Sequence, residues 1–383
     1  MKKPELKIIN QGENKLKVLG GIDGLYYFLD TTNDELYKNF FETSLNNQLE
    51  KLNFGCLTLD FLGTQSFKRD GFSGVVYKLS FAVNETDVIT VARITFKSPN
   101  KQKQVHNIFV KLDAHSIYAL GLLKSISLVS KCCSNFCKND KIFNLAEMPV
   151  NKIDVNAFVS GVDFSIYDNT AYFKKPFVGD GAFGGFKDGT VIYKRKGELQ
   201  SLYLGSKSGA WFFKIYDKVR EIYDSSKKRS FASANAKITY LQEHKMLPKP
   251  LNMIDYGKYL VWNIEFSYKR QFLKECKLYS VENVLDNAKS LFLYGMERVK
   301  LLDSDIESIK HAKKHDHLSR IDVHWIWQHI AEHYSREQGQ ELIRECKKQA
   351  TCTVDGITKY FLWRLQAMGL SKNSVYEAIY RNL

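Results

Sequence analysis

Tyr216 and Lys218 stand two residues apart where an apolar, strand-like run, Ala210 to Ile215, gives way to a charged stretch, Lys218 to Asp224. A tyrosine hydroxyl is a weak nucleophile at its ordinary pKa of about 10. It becomes useful where a neighbouring cation lowers the cost of the phenolate and a target phosphate is held in place. If the strand continues, residues two apart project to one face, so the Lys218 ammonium would reach the phenolate or the phosphate, and Asp217 would point away. Tyr193 and Tyr203 are weaker candidates for the same role. Two further apolar runs each carry one carboxylate: Asp154 within Pro149 to Val159, and Glu265 within Tyr259 to Phe266. Alternation puts Asp154 with Lys152 and Asn156, and Glu265 with Asn263 and Ser267, opposite their apolar neighbours. Hard oxygen ligands of this kind suit Mg²⁺ or Mn²⁺. The residues thus suggest metal-assisted phosphoryl transfer to tyrosine, with Asp154 and Glu265 as metal ligands. Two carboxylates on solvent faces of antiparallel strands is the plainer alternative.

These side chains need strands to carry them, and the pattern supplies strands. Apolar or alternating β-branched runs predict strands at 25–29, 74–81, 89–96, 107–112, 149–159, 190–194, 199–205, 210–215 and 259–268. Helical spacing predicts helices over 115–130, over 218–247 with a break near Ser225-Ser226, and over 281–298. From about 300 onward only helical patterns occur, at 303–314, 324–338, 340–348, 358–368 and 371–381. The expected fold is α+β. A mostly antiparallel sheet over residues 15–300 would carry helices on one face and leave the other for chemistry, and a small all-helical segment would occupy 301–383. The glycine-rich stretch Gly179 to Gly189 reads as a loop beside the site, since no strand–loop–helix phosphate fingerprint surrounds it.

Composition bounds the partners. The 383 residues carry 56 Lys+Arg against 42 Asp+Glu, a net charge of +14 that favours a polyanionic partner, nucleic acid first. No apolar run approaches the roughly 18 residues of a membrane-spanning helix, and the start Met1-Lys2-Lys3-Pro4 has no signal-like apolar region, so a membrane partner is not expected. Seven scattered cysteines without a secretion signal fit a reducing cytoplasm. Cys132, Cys133 and Cys137, near His106 and His115, match no common zinc spacing and read as free thiols.

The motifs "TVIY…LYLGSKSGAWFFKIYDKVRE", "NKIDVNAF" and "YLVWNIEF", in this order and spacing, resemble the nicking domain of rolling-circle replication initiators. The sub-group is similar to filamentous-phage gene II-type proteins and related phage and plasmid initiators. "GIDGLYYFLD" resembles the opening strand of that group, and "VDGITKYFLWRLQAMGLSKNSVYEAIYRN" its C-terminal region.

The resemblance implies a relaxase-like nicking domain at 15–300 and a site-specific nicking and joining endonuclease in a bacterial cytoplasm. Tyr216 would form a 5′-phosphotyrosine on origin DNA, with Lys218 beside it and Asp154 and Glu265 on Mg²⁺ or Mn²⁺. Origin DNA in single-stranded and duplex form, a host helicase and a host DNA polymerase are the implied partners. The His-hydrophobic-His metal motif of many nicking enzymes is absent, which argues against a tyrosine relaxase or transposase; the resemblance to phage initiators, which carry an acidic residue before the first long helix, implies Asp113 or His115 as a third ligand. A non-catalytic DNA-binding regulator is the reading from a different class. The basic tail, with a turn at Gly369 and an amphipathic helix from Ser371, would serve duplex recognition.

Overall fold

A computed structural model describes residues 4–6, 8, 16–30, 35–46, 49–67, 72–84, 87–99, 106–136, 144–175, 189–195, 198–226, 231–249 and 259–334. The chain divides into two units, Met1–Ile343 and Arg344–Leu383. The second unit lies outside the described residues, with the helices expected over 358–368 and 371–381 and the Ser371 helix among them. So do the helix expected over 340–348, Cys137 and all of the glycine-rich stretch but Gly189.

The first unit is α+β. In chain order its elements are β1 (Lys17–Leu29), α1 (Glu35–Leu45), β2 (Lys51–Phe54), β3 (Leu57–Phe67), β4 (Phe72–Ala82), β5 (Val88–Lys97), β6 (Ile108–Leu112), α2 (Ala114–Leu120), α3 (Leu122–Ser134) and β7 (Val150–Ser160). Then follow β8 (Phe173–Lys174), β9 (Thr190–Arg195), β10 (Glu198–Leu204), β11 (Trp211–Asp217), α4 (Lys218–Ser226), α5 (Phe231–Glu243) and β12 (Val261–Lys269). The described part closes with α6 (Arg270–Glu275), α7 (Val281–Asp286), α8 (Ala288–Arg298), β13 (Lys300–Leu301), α9 (Ile306–Lys314) and α10 (Trp325–Glu332).

Eleven strands form one sheet in the order β2-β3-β4-β5-β6-β1-β7-β12-β11-β10-β9; β13 and β8 form a small second one. Every neighbouring pair is antiparallel. Two meanders, β2 to β6 and β12 back to β9, flank the pair β1–β7. The first strand therefore sits in the middle, between residues 108–112 and 150–160.

Alternation decides what each face carries. Ile153, Val155 and Ala157 of β7, Phe213 and Ile215 of β11, and Ile264 and Phe266 of β12 enter the main core. Helices α8 and α10 seal it. An added Cβ at Gly295 of α8 would stand 2.5 Å from the Phe266 ring, so only glycine lets helix and strand come this close. Trp327 of α10 lies 6.0 Å from the Phe213 ring and donates its indole N–H to the Val299 carbonyl at 2.8 Å. Residues 300–334 thus pack in the same core as the sheet, and the boundary expected near 300 falls inside the first unit.

Helices cover part of the other face too. Val219 and Ile222 of α4 and Ala234 and Leu241 of α5 bury against Phe158 and Val261, with Tyr118 of α2 alongside. Phe158 and Val261 are the apolar ends of the two strand faces that carry Asp154 and Glu265, and exposed apolar area of this kind needs a cover. The expected arrangement had helices on one face only; here α2, α4 and α5 also cover one end of the second face. The helix expected over 115–130 is likewise two helices, bent by 114° at Gly121, where φ is +84°. Among the described residues no single helix is long and apolar enough to cross a membrane.

Candidate active site

Strand β11 brings Tyr216 to the second face, opposite Asn263 on β12 and Ser201 on β10. Asp217 then ends the strand. Its side chain points away from Tyr216's partners and accepts the Arg220 N–H at 3.0 Å, which caps α4. Lys218 is therefore the first residue of a helix rather than the next residue of a strand. Its ammonium still turns back, to 3.4 Å from the Tyr216 oxygen, and lies 5.4 to 5.6 Å from the rings of Tyr216, Tyr118 and Phe158. Lys218 is 2% exposed.

Four groups converge on the Tyr216 hydroxyl. The Asn263 amide donates to it at 2.6 Å and Lys218 at 3.4 Å, while Asp23 at 3.2 Å and Glu265 at 3.4 Å are acceptors for its proton. Asn263 is itself held by the Asn156 amide at 2.7 Å. The carboxylates continue in a row. Lys214 pairs with Glu265, Ser267 donates to Asp154 and stands 3.5 Å from Glu265, and Lys152 pairs with Asp154 at 2.8 Å. On the helix side Lys218 meets Glu221 at 3.3 Å and Lys237 meets Glu221 at 3.1 Å. Four carboxylates (Asp23, Asp154, Glu221 and Glu265) thus face four ammonium groups (Lys152, Lys214, Lys218 and Lys237).

Asp23 reaches the site through a β-bulge. Ile22 pairs with Val155 and Gly24 with Asp154, so Asp23 is one residue more on β1 than β7 can match. A bulge of this kind re-aims a side chain. The flanking glycines leave room for the polar side chains of β7: a Cβ at Gly21 would stand 2.8 Å from the Asn156 oxygen and one at Gly24 2.7 Å from an Asp154 oxygen. Asp23 also accepts from the Tyr118 hydroxyl, and its second oxygen lies 3.7 Å from Lys218.

Burial and charge set the protonation states. Burial would raise the Asp23 carboxyl, but Lys218, Lys237 and the Tyr118 hydroxyl hold it at about 2. Burial opposes the Lys218 charge, and Asp23 and Glu221 outweigh it, so the ammonium is held above its usual range. Lys214 is kept charged in the same way by Glu265 and Asp154. Burial, with Asp154 and Asp23 nearby, raises Glu265 despite Lys214, which makes it the better proton acceptor of the two carboxylates at Tyr216. Burial, Asp23 and Glu265 push the Tyr216 phenol well above its ordinary value. The resting hydroxyl is therefore protonated, and attack by it needs a proton acceptor and added positive charge.

All four side chains singled out in the sequence stand on this one face: Tyr216, Lys218 and Glu265 in contact, and Asp154 one serine further. Tyr203, opposite Lys214, and Tyr193, 55% exposed and 5.8 Å from the Tyr203 ring, share the face but not the convergence of donors and acceptors. Asp113 is occupied as the N-cap of α2, accepting the His115 N–H at 2.9 Å. Burial keeps the His115 ring below its usual pKa. Cys132 and Cys133 are buried free thiols.

Oxygen donors on the face suit a hard divalent ion: Asp154, Glu265, and the Asn156 side-chain oxygen, a buried acceptor with no hydrogen-bond partner among the described residues. Asn156 stands opposite Glu265 in register. Among the described residues, however, no three His, Cys, Asp or Glu side chains are grouped as a metal site, and a cation there would compete with Lys152 and Lys214.

Asp23, Asn263, Asn156, Tyr118, Glu221 and Lys237 were not identified from sequence. The one signal for Asp23 was its place between glycines in "GIDG"; Asn156 and Asn263 could be read only as sharing faces with the two carboxylates. No protein-family model matches the chain, and no curated protein matches it.

Proposed function

We propose that the chain is a DNA-nicking and joining enzyme with Tyr216 as its nucleophile, and that it initiates rolling-circle replication of a phage or plasmid. The observation that carries this reading is the Tyr216 hydroxyl itself, bound at once by a buried ammonium, an amide and two carboxylates. A tyrosine that only filled a strand end would not require four charged or polar partners buried around it.

In the proposed reaction the Tyr216 oxygen attacks the scissile phosphorus and its proton passes to Glu265 or Asp23. The bond from phosphorus to the 3′ oxygen breaks, leaving a 5′-phosphotyrosine and a 3′-OH once that oxygen is protonated. Lys218 faces the charge that builds on the phenolate and phosphate oxygens. Asn263 fixes the direction of the phenol ring. Reversal with a second 3′-OH rejoins the strand. Asp154, Glu265 and Asn156 are the residues that would hold Mg²⁺ or Mn²⁺; a bound ion would polarise the phosphate oxygens. The freed 3′-OH would be extended by a host DNA polymerase, and the resemblance adds a host helicase. A relaxase-like fold is part of the same proposal, supported by the antiparallel sheet with a polar strand face.

The test is covalent capture. The protein is incubated with Mg²⁺ and a random-sequence single-stranded DNA library, denatured, and probed for DNA that stays attached. An adduct that maps to Tyr216 is expected. Retained DNA binding with no adduct under any divalent ion would leave the reading as a non-catalytic DNA-binding regulator.

A further inference from the structure

Five cations and a tyrosine line up across the second face. In register, Lys78 on β4 stands opposite Arg93 on β5, Arg93 opposite Lys111 on β6, Lys111 opposite Tyr26 on β1, Tyr26 opposite Lys152 on β7, and Lys152 opposite Lys269 on β12. Directly opposed residues of antiparallel strands share a face, and Lys152 ties this face to Asp154 of the candidate site. Adjacent strands are about 4.8 Å apart, so the row spans about 24 Å at right angles to the strands. It begins beside Asp60, which pairs with Lys78 at 3.0 Å. Asp60 and Asp154 offset two of the five charges, and the row keeps a net positive sign. Arg93 and Lys111 are exposed.

Aromatic rings alternate with the cations. Lys111 and Lys152 lie 5.3 and 4.8 Å from the Tyr26 ring, whose neighbour Phe109 is 6.4 Å away. Phe28 follows, 5.3 Å from Phe109, with Lys97 at 5.3 Å and Arg270 at 5.1 Å over its ring. Toward Tyr216, Phe212 lies between Lys152 at 5.7 Å and Lys214 at 5.3 Å. Along β12 the step from Asn263, opposite Tyr216, to Lys269 in the row is six residues, about 20 Å.

We infer that this row is a binding track for single-stranded DNA, running across β12-β7-β1-β6-β5-β4 and leading the strand to or from Tyr216. A row of ammonium and guanidinium groups, interrupted once by Tyr26, matches a polyphosphate chain. The half-buried rings of Tyr26 and Phe109 between them offer stacking surfaces to unpaired bases, which a duplex does not present. The inference rests on the reading of the chain as an enzyme acting on DNA and adds the surface that holds the substrate away from the reacting phosphate.

The test uses the full chain with Arg93→Ala and Lys111→Ala combined, two exposed positions outside the Tyr216 cluster. Binding of a labelled 30-nucleotide oligothymidylate and of a duplex of equal length is measured over a series of salt concentrations, with a thermal melt as the folding control. The expected result is an unchanged melt, a loss of single-strand affinity of about tenfold or more at low salt, and a salt slope smaller by about 1.4, two phosphates at about 0.7 each. Duplex affinity should fall less. Unchanged single-strand affinity and slope would overturn the track, as would an equal or larger loss on duplex. Adduct formation at saturating DNA is followed in parallel. If wild-type protein never forms an adduct, the proposed reaction fails, while the binding comparison still decides the track.

Discussion

Glu265 and Phe266 are neighbours in one strand and live in different chemical worlds. Phe266 points into a face that is apolar throughout, packed with Val155, Phe213 and Ile264 under two helices. Glu265 points into a face where four carboxylates meet four ammonium groups, two tyrosine hydroxyls and two amides. Burial on the first face is favourable by itself, at about 25 cal/mol per Å² of apolar surface. Burial on the second is costly for each charge and is tolerated only because each has a partner. The sheet supports chemistry on one side because the other side supplies its stability.

The largest expected effect separates function from folding on the polar face. Tyr216→Phe should lower covalent adduct formation by roughly 10³-fold or more while leaving DNA affinity nearly unchanged and costing about 1–3 kcal/mol of stability, because the buried Asn263 amide loses its acceptor. Adduct formation at the wild-type rate would move the nucleophile elsewhere, with Tyr203 and Tyr193 next.

Lys218→Met tests whether the polar face stands on charge pairing. It leaves Asp23 without its nearest cation and should cost about 3–5 kcal/mol in urea unfolding, because a buried charge loses its partner. Adding Asp23→Asn should restore part of that loss. An unchanged urea midpoint for Lys218→Met would show that the pairing contributes nothing.

A matched pair of glycines sets the two faces against each other. Gly295→Ala drives a methyl group into the Phe266 ring and should destabilise by about 1–3 kcal/mol through overpacking. Gly24→Ala presses only on a carboxylate oxygen of Asp154. Its stability should fall less than that of Gly295→Ala, since a side-chain oxygen gives way more easily than a packed ring, and divalent-ion-dependent adduct formation should fall. Equal destabilisation by both would erase the distinction between the faces.

The smallest effect concerns Asp217, whose carboxyl is raised by burial, against its bonds to the backbone of Arg220 and Val219, to about 6 from 3.8. A carboxyl that binds its proton more tightly when folded makes stability fall as pH rises from about 4 to 6. Asp217→Asn keeps the cap and removes this titration, so above pH 6 the variant should be more stable by about 1 kcal/mol. Asp23 titrates in the opposite sense: held at about 2, it contributes stability above pH 4 that is lost as pH falls toward 2. A stability difference between Asp217→Asn and wild type that does not change across pH 4–6 would sink the assignment.

Much of the sheet was legible because period-two alternation is local. Strands around Val155, Phe213 and Ile264, and the shared faces of Asp154 with Asn156 and of Glu265 with Asn263, followed from spacing alone. The region from 30 to 74 was not read: α1, β2 and β3 lie there, and their short or mixed apolar patterns gave no clear period. The break at Gly121 was missed because the apolar residues on either side keep helical spacing through it.

What the sequence determined by itself was the set of polar residues each strand would show on one side, since that depends only on neighbours two apart. It also put Tyr216 and Lys218 at a strand-to-helix junction. Only the tertiary structure decided that β1 lies between β6 and β7, that a bulge turns Asp23 toward Tyr216, and that α2, α4 and α5 bring Tyr118, Glu221 and Lys237 to the same place. Strand order and register join residues up to 193 positions apart, as Asp23 and Tyr216 are, and pairing over such separations is fixed by how whole faces bury together, which no local spacing records.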